Sequence, residues 1–307
     1  MKMTNFASMN KKTMGHFAMA SANVMWGIMA PVSKSIMAAG AITPLAMTNF
    51  RMAGGALLFW AASFIAGRER VPAKDLLLLC GASLLGIVLN QGCYMFGVSL
   101  STPGDASIIT TTMPMWAMVL AAIFLKEPIS AKKVGGILLG AAGALILVAG
   151  AGGFGSFGGR EHVIGDLLVL SAQFFYACYL VLYKNFITRY SMFTIMKWMF
   201  TFAAICVVPF SISDIVRLDW ASVSAADCAG VAFVVVGATF LSYICVLVGQ
   251  KNLRPTVAAM YNYVQPVVAM TIAVILGLDA LTAMKLAAIA LIFTGVYLVS
   301  TSRARNS

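Results

Sequence analysis

The sequence predicts an all-α polytopic membrane protein of ten transmembrane helices, built as two inverted five-helix repeats. Three observations predict it. Hydrophobic residues fill 61% of the 307 positions and charged residues 10%, with a mean hydropathy of +0.92, whereas a soluble domain carries roughly a quarter charged residues. Apolar runs of about 20 residues, enough to cross a ~30 Å hydrocarbon core as helix, recur along the whole chain. Finally, "PGDASIITTTMP", with Pro103 and Pro114, returns 152 positions later as "PTVAAMYNYVQP", with Pro255 and Pro266.

Charge, proline and glycine punctuation bounds the elements. The first, 15–38, follows Lys11 and Lys12; it is too long for a signal peptide and has no clear cleavage site, so a retained helix is expected. The second, 45–66, carries Arg51, and the third, 75–98, carries Gln91 and Tyr94. The fourth, 105–125, starts after Pro103, where a missing N–H costs nothing, and holds Pro114 near its middle. The fifth, 133–150, contains Gly136-x-x-x-Gly140. The glycine-rich "AGAGGFGSFGGREH" leads to the sixth, 164–186; it lacks the spacing of a phosphate-binding loop and reads as a linker. The seventh, 192–212, holds Lys197, and the eighth, 227–248, holds Tyr243. The ninth, 256–277, follows Pro255 and contains Pro266, and the tenth spans 283–301. Residues 1–150 thus form a first repeat, 151–162 a linker, 163–302 a second repeat and 303–307 a tail.

The repeat extends beyond the prolines. At the 152-residue offset Glu127 meets Asp279, Lys133 meets Lys285 and Gly143 meets Gly295. At 150, Gly15, Ser21, Ala22 and Lys34 meet Gly165, Ser171, Ala172 and Lys184, with Asn23 opposite Gln173 and Trp26 opposite Tyr176. At 146, Arg51 meets Lys197. Five helices per unit is an odd number, so the second unit enters the membrane from the opposite side. Inverted repeats of this kind are a common construction of secondary transporters.

The formal net charge of +11 is a topology signal rather than a nucleic-acid footprint. Lys11, Lys12, Arg68, Arg70, Lys74, Lys126, Lys132, Lys133, Lys184, Arg189, Lys251, Arg254, Arg303 and Arg305 all fall on one side. Cations are retained on cytoplasmic loops, which places both termini in the cytoplasm. The expected surroundings are therefore the lipid bilayer, with no nucleic acid. The six cysteines form no C-x-x-C pair and lie mostly in apolar segments, so no metal site, disulfide framework or cofactor is expected. Some of the 20 methionines suit an adaptable pocket.

"WGIMAP", "NFRMAGGALLF" and "ASIITTTMPMWAMVLAAIFLKEPISAKKVGGILLGAAGALIL", echoed by "AAMYNYVQPVVAMTIAVILGLDALTAMKLAAIALIFTGVYLV", resemble the EamA-type branch of the drug/metabolite transporter superfamily. The resemblance runs from about Gly15 to Ser300. It implies ten helices, a substrate cavity between the repeats and alternating access. It also implies efflux or exchange of amino acids, metabolites or drugs, usually in a bacterial inner membrane. Asp279 departs from the family's usual Glu at that turn, where a capping role is expected.

Candidate substrate-binding residues follow from polarity inside apolar helices. Pro114 and Pro266 free the carbonyls of Thr110 and Asn262 near the midplane, where a free carbonyl must face protein or a water-filled path; a tolerated packing kink is the competing reading. Arg51 and Lys197 are charges within apolar helices that steer an anionic group towards the cavity, or else snorkel to the headgroups or pack against loops. Asn23 and Trp26, with Gln173, Tyr176 and Tyr179, share helices one and six; Gln91, Tyr94 and Tyr243 supply helices three and eight. Thr110, Thr111, Tyr261, Asn262 and Gln265 flank the prolines. Such amide, hydroxyl and aromatic groups around an apolar hollow suit a small amphipathic solute. No Asp or Glu falls at mid-membrane, since Asp105, Asp166 and Asp227 stand near helix ends, so a facilitator, an exchanger and a proton-coupled carrier all remain consistent. Neither histidine belongs to a catalytic motif, which argues against an enzyme. The leading function is a secondary transporter of small organic solutes, with a lipid scramblase or channel-like protein as the alternative. Gly136-x-x-x-Gly140 serves either a homodimer or packing within the monomer.

Overall fold

The computed structural model describes residues 11–40, 42–67, 69–126, 130–153, 159–186, 188–253 and 261–301. The described chain is helical, without strands: α1 (Lys11–Ala38), α2 (Pro44–Ala66), α3 (Ala73–Leu100), α4 (Pro103–Phe124), α5 (Ala131–Gly153), α6 (Arg160–Leu182) and α7 (Met192–Val216). Next, α8 runs from Ala225–Ala232 through Phe233–Leu241 to Ser242–Asn252. In α9 the turn Tyr261–Tyr263 leads into Val264–Ile275, and α10 is Ala283–Thr301. Of these, α3, α4, α6, α7 and α8 are long and apolar enough to cross a membrane by length and composition, and α9 and α10 contain shorter apolar helices. Glu127 and Pro255 lie outside the described residues.

The clearest difference from the sequence reading is the start of α6. Residues 160–162 are read there as linker but form the first helical turn. Gly159 occupies the N-cap, Glu161 complements the positive end of the helix dipole, and His162 is buried against two carboxylates. At the other end α6 stops at Leu182, because residues 183–186 turn.

The two repeats interlock by exchanging neighbours. α1 packs on α8 and α9, while α6 packs on α3 and α4; α2 packs on α7 and α5 on α10. Each pairing survives when the halves are swapped, which is the inverted repeat in three dimensions. Its best view is the antiparallel α2–α7 pair. Thr43 caps the first turn of α2 by accepting from the Ala46 amide at 3.1 Å, and its hydroxyl donates to Asp214 near the end of α7 at 2.6 Å. Ser191 caps α7 in the same way and donates to Glu69, just beyond the end of α2, at 2.8 Å. Burial opposes ionisation of Glu69, but the Ser191 amide and the Thr194 and Ser191 hydroxyls outweigh it and hold the carboxyl below its ordinary value.

Lipid tails are as apolar as leucine, so helices here associate by close packing rather than by the hydrophobic effect. Glycines permit it at two seams. A Cβ on Gly97 of α3 would stand 2.8 Å from the Gly165 carbonyl oxygen of α6, and one on Gly165 would stand 2.9 Å from that of Gly97. A Cβ on Gly295 of α10 would stand 2.5 Å from the Gly136 carbonyl and 2.7 Å from the Gly140 amide of α5. Gly136-x-x-x-Gly140 is thus occupied inside the monomer.

Backbone irregularities occupy matching places in both halves. α3 is π-helical over Leu84–Leu89 and α8 over Phe233–Leu241. α4 breaks at Thr111–Thr112, immediately before the helical piece that carries Pro114, and the described part of α9 has a 3₁₀ turn, Tyr261–Tyr263, just before Pro266.

Candidate functional site

The breaks in α4 and α9 face one cavity of about 520 Å³ between the repeats, inside the 300–1,000 Å³ range of small-molecule sites. Tyr243 and Val246, just beyond the π segment of α8, supply one wall, and the π segment itself holds two lining side chains in place. Trp26 Nε1 of α1 donates to the Ala238 carbonyl at 3.0 Å, and its ring meets Tyr243 edge-on with centroids 6.1 Å apart. Arg51 Nε of α2 donates to the Thr239 hydroxyl at 3.2 Å, and that hydroxyl donates to the Val234 carbonyl five residues back, at 2.9 Å. Widening the helix to the i−5 pattern therefore places an acceptor where Arg51 needs one.

Arg51 is 3% exposed, and its Nη1 has no hydrogen-bond partner. Gln91, beside Tyr243, is likewise buried with neither amide atom in a full hydrogen bond. Unsatisfied buried donors are costly, the more so on a charged group. Here they belong to residues that line a hollow, so an incoming anion or carbonyl would satisfy them.

Of the residues singled out from sequence, Trp26, Arg51, Gln91, Tyr94, Thr110, Thr111, Gln173, Tyr176, Tyr243, Asn262 and Gln265 all line this cavity. The others stand elsewhere. Asn23 is fully buried behind the wall: its amide nitrogen donates to the Met19 carbonyl at 2.8 Å and its oxygen accepts from Gln265 Nε2 at 2.7 Å, so it orients Gln265. Tyr179 packs against Tyr176 with centroids 5.8 Å apart. Tyr261 bonds His16 Nδ1 through its hydroxyl at 2.7 Å. Pro114 and Pro266 shape the helix breaks and do not line the hollow. Lys197 lies in the α2–α7 contact, donating to Ser63 Oγ at 2.8 Å with its ammonium 4.7 Å from the centroid of the Trp60 ring.

Met19, Met29, Asn90, Met113, Leu180 and Val246 complete the lining without having been singled out. Asn90 carried a signal, an amide next to Gln91 in an apolar helix. Met19, Met29 and Met113 carried only the general suitability of methionine for a pocket, and Leu180 and Val246 carried none, because an apolar residue in such a chain faces lipid, core or cavity with equal ease.

Two halves that exchange partners around a central, mainly apolar hollow with a few polar groups define a carrier-type membrane fold. The model of the EamA-like transporter family matches residues 13–149 and again 163–301, and the chain belongs to that family. It is a multi-pass membrane transporter. Similar chains include the uncharacterized transporter YetK of Bacillus subtilis (strain 168), 24% identical over 289 residues, covering 94% of this chain and 87% of the relative. The probable amino-acid metabolite efflux pumps of Salmonella typhimurium (strain LT2) and Escherichia coli (strain K12) are each 25% identical, covering 90% of this chain and 91% of the relative. A solved crystal structure superimposes with a TM-score of 0.65 at 22% identity, covering 96% of this chain and 98% of that one, which is a likeness of fold.

Proposed function

We propose that this transporter exports small amphipathic solutes bearing a carboxylate, amino acids and their metabolites first, by alternating access. The one observation that carries the reading is Arg51, a wholly buried cation beside a hollow with an N–H left unsatisfied. A carboxylate supplies both the counter-charge and the missing acceptor. The aromatic walls of Trp26, Tyr94, Tyr176 and Tyr243 suit the solute's apolar part, and Gln91 and Gln265 its remaining polar groups. Cationic drugs rank below, since Arg51 repels them. The inverted repeat supports alternating access, because one packing pattern serves both gates when the halves rock. The lysine- and arginine-rich loops on the side of the termini favour a cytoplasmic location for both, in a bacterial inner membrane.

The experiment is a thermal-stability screen of the purified full-length protein against amino acids, other small metabolites and cationic drugs. A ligand of the folded state adds RT ln(1 + [L]/Kd), about 2.7 kcal/mol at a hundredfold excess. Stabilisation by carboxylate-bearing solutes that Arg51→Gln abolishes is the expected result. Stabilisation by cationic drugs alone would sink the carboxylate reading. Lipid transfer between vesicle leaflets without saturable solute uptake would sink the carrier reading as well.

A further inference from the structure

A second polar cluster lies at the end of the bundle away from the termini, across the seam between the repeats. His162 Nε2 of α6 stands 3.0 Å from Asp105 Oδ2 of α4 and 3.7 Å from Asp166 Oδ1 of its own helix. The Lys285 ammonium of α10 lies 3.0 Å from Asp105 Oδ1 and also binds Asp279 in the turn before α10. Ser101, after α3, donates its hydroxyl to Asp166 Oδ1. Asp166 is 0% exposed, and its Oδ2 has no hydrogen-bond partner.

The charges do not balance. Asp105, Asp166 and Asp279 bring three carboxylates against one ammonium, so the cluster stands at −2 with His162 neutral and at −1 with it protonated. Among the described residues, the other cations at this end of the bundle are engaged elsewhere or exposed. Lys34 of α1 donates to the Ser99 carbonyl at 2.5 Å, and Arg160 and Glu161 of α6 are exposed. Two carboxylates that share one imidazole favour a bound proton, because like charges at close range cannot all ionise in a buried place. A divalent ion is disfavoured, since Lys285 already provides the positive charge against Asp105.

We propose that Asp105, His162 and Asp166, with Lys285 as fixed counter-ion, form a proton-binding site whose occupancy is tied to the opening of this end of the transporter. The proton belongs to the cluster as a whole. Asp105, His162 and Asp166 stand on the packed pair α4 and α6, while Lys285 reaches Asp105 from α10, so opening this end draws the counter-ion away from the carboxylates and admits water to them. Thr110, a cavity residue, follows Asp105 on α4 by only ~7.5 Å of helix rise, which gives the cluster a rigid link to the substrate hollow. The site is the counterpart of no acidic pair in the first repeat: the residue matching Asp166 is His16, bonded to Tyr261.

The test needs no identified solute, so it stands or falls apart from the carboxylate reading. Full-length protein in lipid nanodiscs is taken between about pH 8 and about pH 5, with proton uptake counted and the carbonyl band of protonated carboxylic acid followed by infrared difference spectroscopy. Wild type should take up about one proton per chain more than Asp166→Asn and lose a titrating band in that variant. His162→Gln should keep the band and move its midpoint by about one pH unit or more. Glu161→Gln, exposed on the same turn, should match wild type. Equal uptake and an unchanged band in folded Asp166→Asn and Asp105→Asn overturn the proposal, as does a cluster that responds to Zn²⁺ but not to pH. If Asp166→Asn does not fold, an unmoved midpoint in His162→Gln is refutation enough.

Discussion

In the first repeat the cation of the second helix, Arg51, is buried beside the central cavity; in the second repeat its counterpart, Lys197, is buried in the contact between α2 and α7. Their exposures are nearly equal, 3% and 4%, so the difference is one of partners and not of burial. Lys197 has the Ser63 hydroxyl and the face of Trp60, an ammonium resting on an aromatic ring. Arg51 has one hydroxyl for Nε and nothing for Nη1. Pseudo-symmetry therefore governs which helices touch, while the chemistry of each repeat is free to diverge. The same holds at residues 16 and 166, a histidine on a tyrosine in one half and a carboxylate on a serine in the other.

The largest effect that would break this comparison is at the two cations. Arg51→Gln should weaken binding of a carboxylate solute by about 2–4 kcal/mol, roughly 30- to 1,000-fold, since the solute's charge loses its partner. Lys197→Gln should leave that binding within about threefold, as distant, independent sites do. Ligand-dependent melting of both variants is the check, and comparable losses would mean that Lys197 reaches the solute in another state of the cycle.

Next come the seams, where the halves should behave alike. Gly97→Leu forces a side chain into the Gly165 backbone, and Gly249→Leu displaces the Met19 side chain of α1 and then presses on the Gly15 carbonyl, 3.5 Å from a Cβ there. Overpacking of this kind costs about 1–3 kcal/mol, and the two should lower thermal stability in detergent by similar amounts. A large loss at one with none at the other would show that only one half is tightly closed.

The helix caps sharpen the comparison further. Thr43→Val and Ser191→Ala each remove an N-cap hydroxyl and its tie to a carboxylate of the other repeat, for about 1 kcal/mol apiece by the cap alone. Equal shifts in denaturation midpoint are expected. Smallest is Ser63→Ala, which leaves Lys197 on Trp60; a loss below about 1 kcal/mol, read in the same melt, is the expected outcome.

The ten helices and their inversion were determined by the sequence alone. In hydrocarbon every backbone N–H and C=O must bond within its own segment, so apolar length and charge punctuation bound the helices directly, and an odd count per repeat reverses the second. Polar residues in apolar helices point to a common hollow, and Trp26, Gln91, Tyr176 and Asn262 line one cavity. The sequence is silent on helix rotation and on backbone register, and there the tertiary structure decided. The π segment of α8 has no residue signature, yet it turns Ala238 and Thr239 toward Trp26 and Arg51. Asp105 and Asp166 look like helix-end residues until the packing of α4, α6 and α10 removes them from water and sets one imidazole between them. Whether a buried charge is a structural brace or a ligand contact depends on which neighbour's side chain arrives beside it, and that is a property of the fold.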